Sequence, residues 1–179
     1  MPTFEFTLRL NRAPSEDEIE LLYEETGGDS DVEWNPETGY GAVTVNRVAR
    51  TLTEAIVSAV RDIERVPELR VTGVAQDNAV TMLDIARRLG RTRASVRMLV
   101  NGQRGPGGFP RPSLVTTGGE KVWSWPDVAF WLHDQLGLEV DVPPHELTTA
   151  DRLLVARAAL AAEPDEQARA ALGALLQAS

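Results

Sequence analysis

The chain contains no cysteine, which excludes disulfides, thiolate nucleophiles and cysteine-ligated zinc together. Histidine is scarce, with His133 and His145 alone, and two imidazoles leave little for a metal site or a histidine-based triad. No apolar run approaches the roughly 18 residues a spanning helix needs, so no membrane association is expected. The opening MPTFEFTLRL alternates polar and apolar residues instead of setting an apolar block behind a basic stretch. No secretory signal is therefore expected, and the protein reads as cytoplasmic. Gly-rich phosphate loops, nucleophile elbows and metal-ligand spacings are all missing, so the chain is expected to be no enzyme and to need no cofactor. Lysine is nearly absent too: of 18 basic residues only Lys121 is one. An arginine- and alanine-rich composition reflects a GC-rich coding sequence as much as it reflects function.

What is present is unevenly spread. The 179 residues leave room for one medium domain or two small ones, and 42% hydrophobic with 25% charged residues is ordinary for a folded soluble chain. A net charge of −9, taken whole, argues against nucleic acid. Composition shifts before Asp77 and after Gly137 divide the chain, and the charge divides with it. Residues 1–76 carry 7 basic and 15 acidic side chains, a net of −8; residues 77–137 carry 8 and 5, a net of +3; residues 138–179 carry 3 and 7, a net of −4. Between Arg87 and Lys121 eight basic residues (Arg87, Arg88, Arg91, Arg93, Arg97, Arg104, Arg111, Lys121) meet one acid, Glu120. Such a cluster with acidic sequence on both sides is the electrostatic footprint of phosphate binding.

In the first segment Phe4, Phe6, Leu8 and Leu10 alternate with polar residues, which predicts a half-buried strand. Ser15 and Glu18 form a capping box for a helix that ends at Gly27-Gly28. A strand near Val32–Trp34, the turn Asn35-Pro36-Glu37-Thr38-Gly39 and a strand Tyr40–Val45 predict a hairpin. A helix over Thr53–Val66 and a strand over Leu69–Ala75 complete the order strand, helix, strand, strand, helix, strand. That is the order of a ferredoxin-like βαββαβ sandwich. RNA recognition by such a sheet needs a basic face and exposed aromatics on the central strands, and Tyr40–Val45 offers one aromatic in an acidic segment.

In the middle segment Thr81 and Asp84 predict a helix start, with Met82, Leu83, Ile85, Ala86 and Leu89 on a buried face before Gly90. After Gly90-Arg91-Thr92 a second helix places Val96, Leu99, Val100 and Gln103 on one side and Ala94, Arg97, Met98 and Asn101 on the other, with Arg93 at the edge. Residues 101–112, rich in Gly and Pro, cannot remain helical. Strands at Ser113–Thr116 and Lys121–Trp123 flank Gly118-Gly119 as a β-hairpin. Ser124 and Asp127 then predict a further capping box, with Pro126 in the first turn and helix to Gly137.

The run TMLDIARRLGRTRASVRMLVNG, then GPGGFPRP, then GGEKVWSWPDVAFWL, resembles the MerR-like winged helix-turn-helix domains, particularly the excisionase and AlpA type of small regulator. Ala86, Gly90, Val96 and Leu99 match the positions such units give to a small residue, a turn glycine and two aliphatics; Arg91 departs from the small aliphatic usual there. The resemblance spans about a third of the chain and implies a double-stranded DNA-binding module, while leaving transcription, recombination and plasmid maintenance open. It implies, with the helical wheel, that Arg93, Ala94, Arg97, Met98 and Asn101 face the major groove. There arginine suits guanine, asparagine suits adenine, and Ala94 or Met98 suits a thymine methyl. Thr92 is expected to donate to phosphate at the helix start, and Arg104, Arg111 and Lys121 to supply loop or wing contacts. Trp123, Trp125 and Trp131 are expected to form the core under the wing rather than a stacking platform.

In the last segment Thr148 and Asp151 predict the cap of a helix through Ala162, Glu163-Pro164-Asp165 an interruption, and Gln167–Ala178 a second helix. Leu153, Leu154, Leu160, Leu172, Leu175 and Leu176 predict the apolar side of the two helices. The expected protein is α+β: a ferredoxin-like domain over 1–76, a winged helix-turn-helix over 77–137, and a linker with a helical tail over 138–179 whose two helices form a hairpin. Its expected role is sequence-specific double-stranded DNA binding as a bacterial transcriptional regulator. A homodimer is expected, because symmetric pairing lets two helices read successive major grooves. The N-terminal domain is left for a protein or small-molecule partner. The rival reading is a protein-interaction adaptor whose working surface is the acidic N-terminal domain.

Overall fold

The alternation in TFEFTLRL makes β1 (Thr3–Leu10), whose Phe6, Leu8 and Leu10 are buried in the computed structural model, which describes residues 1–76 and 78–175. Ser15 starts α1 (Glu16–Glu25) through the expected capping box. The Arg12 guanidinium forks onto the same Glu18, both contacts at 2.8 Å. That fork, with the Ser15 backbone N–H, lowers the Glu18 carboxyl to about 2. Asn35 Oδ1 accepts the Glu37 and Thr38 N–H groups and turns β2 (Ser30–Asn35) into β3 (Tyr40–Val48). Thr51 caps α2 (Leu52–Ile63), which buries Ala55, Ile56, Ala59 and Ile63. With β4 (Val71–Val74) the strands form one antiparallel sheet in the order β2-β3-β1-β4, Leu8 lying opposite Val43 and Phe6 opposite Val45. Arg47 of β3 reaches Asp29 at 2.5 Å and Asp62 of α2 at 2.6 Å, locking strand to helix.

A helix from the far end of the chain belongs to this same unit, which comprises Met1–Ala75 and Glu146–Ser179. On α6 (His145–Ala162), Asp151 accepts the Val74 N–H and the Arg9 guanidinium, each at 2.8 Å. Arg157 donates to the Val71 carbonyl at 2.9 Å and to Glu64 at 2.5 Å, and Leu154 is buried with the sheet residues. Side chains of α6 thus take up backbone groups along an edge strand, the part of a sheet most exposed to unwanted pairing. Gly73 permits it: a Cβ there would overlap the Arg9 guanidinium and lie 2.7 Å from Asp151 Oδ1. The expected Thr148 cap is corrected, because the helix begins at His145 and Thr148 lies within it, its buried hydroxyl unpaired among the described residues. The expected leucine side is corrected as well: Leu154 enters the core while Leu153, Leu172 and Leu175 stay exposed. Asp165 caps α7 (Glu166–Ala174) after the interruption; Leu176 and Ala178 lie outside the described residues.

The second unit, Gln76–His145, runs in sequence from just after β4 to the first residue of α6. Here β5 (Ala79–Thr81) leads into α3 (Met82–Arg88), and Thr81 with Asp84 forms the expected box. There follow α4 (Arg93–Val100), β6 (Leu114–Val115), β7 (Lys121–Ser124) and α5 (Trp125–Leu136), closed by left-handed Gly137. The sheet is antiparallel in the order β5-β7-β6, and Val80 opposite Trp123 pins the unanticipated β5. Three local expectations are corrected. Leu83 is exposed, since the short helix buries only Ile85 and Ala86; Gln103 is exposed beyond the end of α4; and Ser124 makes no side-chain cap bond. The chain is α+β, and among the described residues no helix is long and apolar enough to cross a membrane.

Candidate nucleic-acid interface

Three local devices aim α4. Gly90, at φ 60°, takes the left-handed turn that a side chain disfavours, so that Arg91 N–H closes onto the Ala86 carbonyl at 2.9 Å. Thr92 Oγ1 accepts the Ser95 N–H at 3.2 Å; its own hydroxyl proton remains available to a phosphate. Val96 and Leu99 are buried, which turns Arg93, Ala94, Arg97, Met98 and Asn101 outward, all exposed. Spacing of four residues then puts Arg93, Arg97 and Asn101 along one edge of the helix.

The hairpin is held over the same core. Phe109 meets Trp131 and Trp123 edge-on, with ring centroids 5.0 Å and 6.2 Å apart. Trp123 Nε1 donates to the Pro110 carbonyl at 3.0 Å, fixing the extended FPRP segment to β7. Ser113 N–H bonds the Val122 carbonyl, and Thr116 N–H bonds the Glu120 carbonyl, each at 2.8 Å. Trp123, Trp125 and Trp131 are all buried, as expected of a core and not of a stacking platform.

Helix and hairpin together enclose a shallow groove of about 250 Å3, lined by Arg93, Arg97, Val100 and Asn101 on one wall and by Gly119, Glu120 and Lys121 on the other, over Met82 and Trp123. Four expected site residues therefore converge: Arg93, Arg97, Asn101 and Lys121. Ala94 and Met98 are exposed on α4 outside the groove, Thr92 is at its helix start, and Arg104 and Arg111 are exposed on the loop beyond α4. Glu120 lines the wall with the cations, and the sequence, which counted this acid, gave it no position. Its only signal was adjacency to Lys121 after the Gly-Gly turn.

The eight basic residues of the cluster differ in their engagement. Arg88 stacks over Trp125, 4.5 Å from the ring centroid, and Arg87 lies 3.9 Å from Asp84. The Thr81 hydroxyl and N–H, then Arg87 and Arg88, hold the Asp84 carboxyl below its ordinary range. Among the described residues Arg91, Arg93, Arg97, Arg104, Arg111 and Lys121 have no side-chain hydrogen bond or ion pair. Forked guanidinium donors and an exposed amide suit planar, bidentate acceptors such as base edges, and equally the oxygens of phosphate. Among the described residues no set of three or more His, Cys, Asp or Glu side chains is placed to hold a metal ion. No protein-family model, curated protein or solved structure matches this chain.

Proposed function

We propose that the chain is a sequence-specific double-stranded DNA-binding protein of the cytoplasm, a bacterial transcriptional regulator that reads the major groove with residues 92–101. The observation that carries this reading is the convergence of Arg93, Arg97, Asn101 and Lys121, without side-chain partners among the described residues, on one groove. The order α3, tight turn, α4, hairpin, α5 supports a MerR-like winged helix-turn-helix, with the hairpin as the wing. The strand order β2-β3-β1-β4, with helices after the first and third strands, supports a ferredoxin-like sandwich for the first unit. Arg93 and Arg97 donate to guanine edges, Asn101 to adenine, and Lys121 to phosphate. A homodimer places two such helices on successive major grooves. No catalytic role and no cofactor belong to this reading.

Gel shifts over a salt series test it. Duplex affinity falls steeply with salt, log Kd changing by about 0.9 per phosphate neutralised for each tenfold change in salt. Arg97→Ala weakens the selected site by about 1–3 kcal/mol, roughly 5- to 150-fold, and randomised duplex much less. No duplex binding at low salt would sink the proposal. The adaptor reading rests on the acidic first unit with its exposed Trp34 and Tyr40; a stable protein complex indifferent to Arg97→Ala would favour it.

A further inference from the structure

Within the groove one residue has the wrong sign for a phosphate site. Glu120 shares a wall with Lys121 and faces Arg93, Arg97 and Asn101, and a carboxylate so placed would ordinarily be drawn into an ion pair. Among the described residues none of these cations lies within ion-pairing distance of it. Its backbone is fastened on both sides of the residue, since Thr116 Oγ1 accepts the Glu120 N–H at 3.1 Å and the Glu120 carbonyl accepts the Thr116 N–H at 2.8 Å. The hairpin therefore holds the Glu120 backbone in place, and the exposed carboxylate has no ion pair among the described residues. Between a helix in one groove of a duplex and a hairpin at its flank runs the sugar-phosphate ridge. A carboxylate there repels the ridge wherever a duplex is held through its phosphates alone and settles in any register, and repels it least where base contacts of α4 fix one register.

Resting on the DNA-binding reading, we infer that Glu120 is a specificity-determining residue that acts by rejection: it weakens engagement through phosphate alone, so that stable binding requires the base contacts of α4. Discrimination built from an added repulsion is a general alternative to added attraction. The effect is a difference between two affinities, and it fades as salt screens the charge.

The test compares wild type, Glu120→Gln and Asp134→Asn, all as the full chain, on two probes: a labelled duplex of randomised sequence, and the best site wild type selects from that pool. Asp134, exposed on α5 outside the groove, controls for net charge, since both variants change it equally. Glu120→Gln is expected to tighten binding to the randomised duplex by about 3- to 10-fold at low salt, with a smaller gain on the selected site and no gain in high salt. Asp134→Asn is expected to change neither probe. Equal tightening by both variants, or no change with Glu120→Gln while wild type binds duplex, overturns the inference and leaves the DNA-binding reading standing. Selective loss of the chosen site with Glu120→Gln overturns it in favour of a carboxylate that accepts from a cytosine amino group. Absence of duplex binding by wild type and both variants overturns the functional reading, and the inference with it.

Discussion

In the first unit Arg9, Arg12, Arg47, Arg50, Arg65 and Arg157 each sit in an ion pair, whereas in the second Arg91, Arg93, Arg97, Arg104 and Arg111 have none among the described residues. Summed over these units, the first carries 10 basic and 20 acidic residues and the second 8 and 7. The same side chain thus serves two ends. Where acids outnumber it two to one, arginine crosslinks elements, and its field is cancelled at short range. Where acids are fewer and set apart, its donors stay open to solvent and to whatever polyanion arrives. A count of arginines cannot separate these uses; the partners can.

The contrast is broken most strongly at Arg47. Arg47→Ala strands Asp29 and leaves Asp62 with Arg65 alone, at 3.2 Å, and removing one partner of a largely buried ionic cluster costs about 3–5 kcal/mol. Urea unfolding should register that loss, and an effect within experimental error would mean that the arginine network of the first unit is decoration. Arg97→Ala makes the reverse claim: stability unchanged within about 0.5 kcal/mol, as for other exposed positions without partners, with the loss confined to duplex affinity. Thr148→Val removes an unpaired buried hydroxyl at nearly constant volume and should stabilise the first unit by about 1 kcal/mol, read as a higher urea midpoint. Acid gives the smallest and most graded effect. Because the Glu18 carboxyl titrates near 2 when folded, below its ordinary 4.5, its lock with Arg12 and Ser15 contributes stability that is intact above about pH 4.5. That contribution is lost as pH falls toward 2. Glu18→Gln should flatten this part of the profile of Tm against pH.

Local signals were readable wherever a short stretch determines its own geometry. Alternation announced β1, and the pairs Ser15 with Glu18 and Thr81 with Asp84 marked two helix starts to within a residue. The same signature misled at Thr148 and Asp151. There Asp151 turns to Val74, 77 positions away in sequence, and no local period encodes such a partner. The strand β5 is three residues long and exists because Val80 meets Trp123, again a distant pairing. At the site, the outward face of α4 follows from helical spacing, so its residues were nameable in advance. The groove requires the hairpin's placement, which hangs on Phe109 and on the Trp123 bond to Pro110; hence Lys121 is legible as a loop or wing contact, while Glu120, legible as the one acid of the cluster, has no place in the site until the hairpin is folded.

The insertion of the second unit between β4 and α6 also sets an order of events during synthesis. Residues 76–145 form their unit from one continuous stretch, but the first unit lacks its Leu154 and the α6 cover of β4 until chain beyond residue 145 has emerged. At ribosomal rates of about 5–20 residues per second, that interval lasts roughly 4–14 s. Throughout it an unguarded strand edge trails from the ribosome while the second unit is still being made. Of the two units, the one begun first is the one finished last, and it is there that a nascent chain is most open to chaperones and to pairing with another copy of itself.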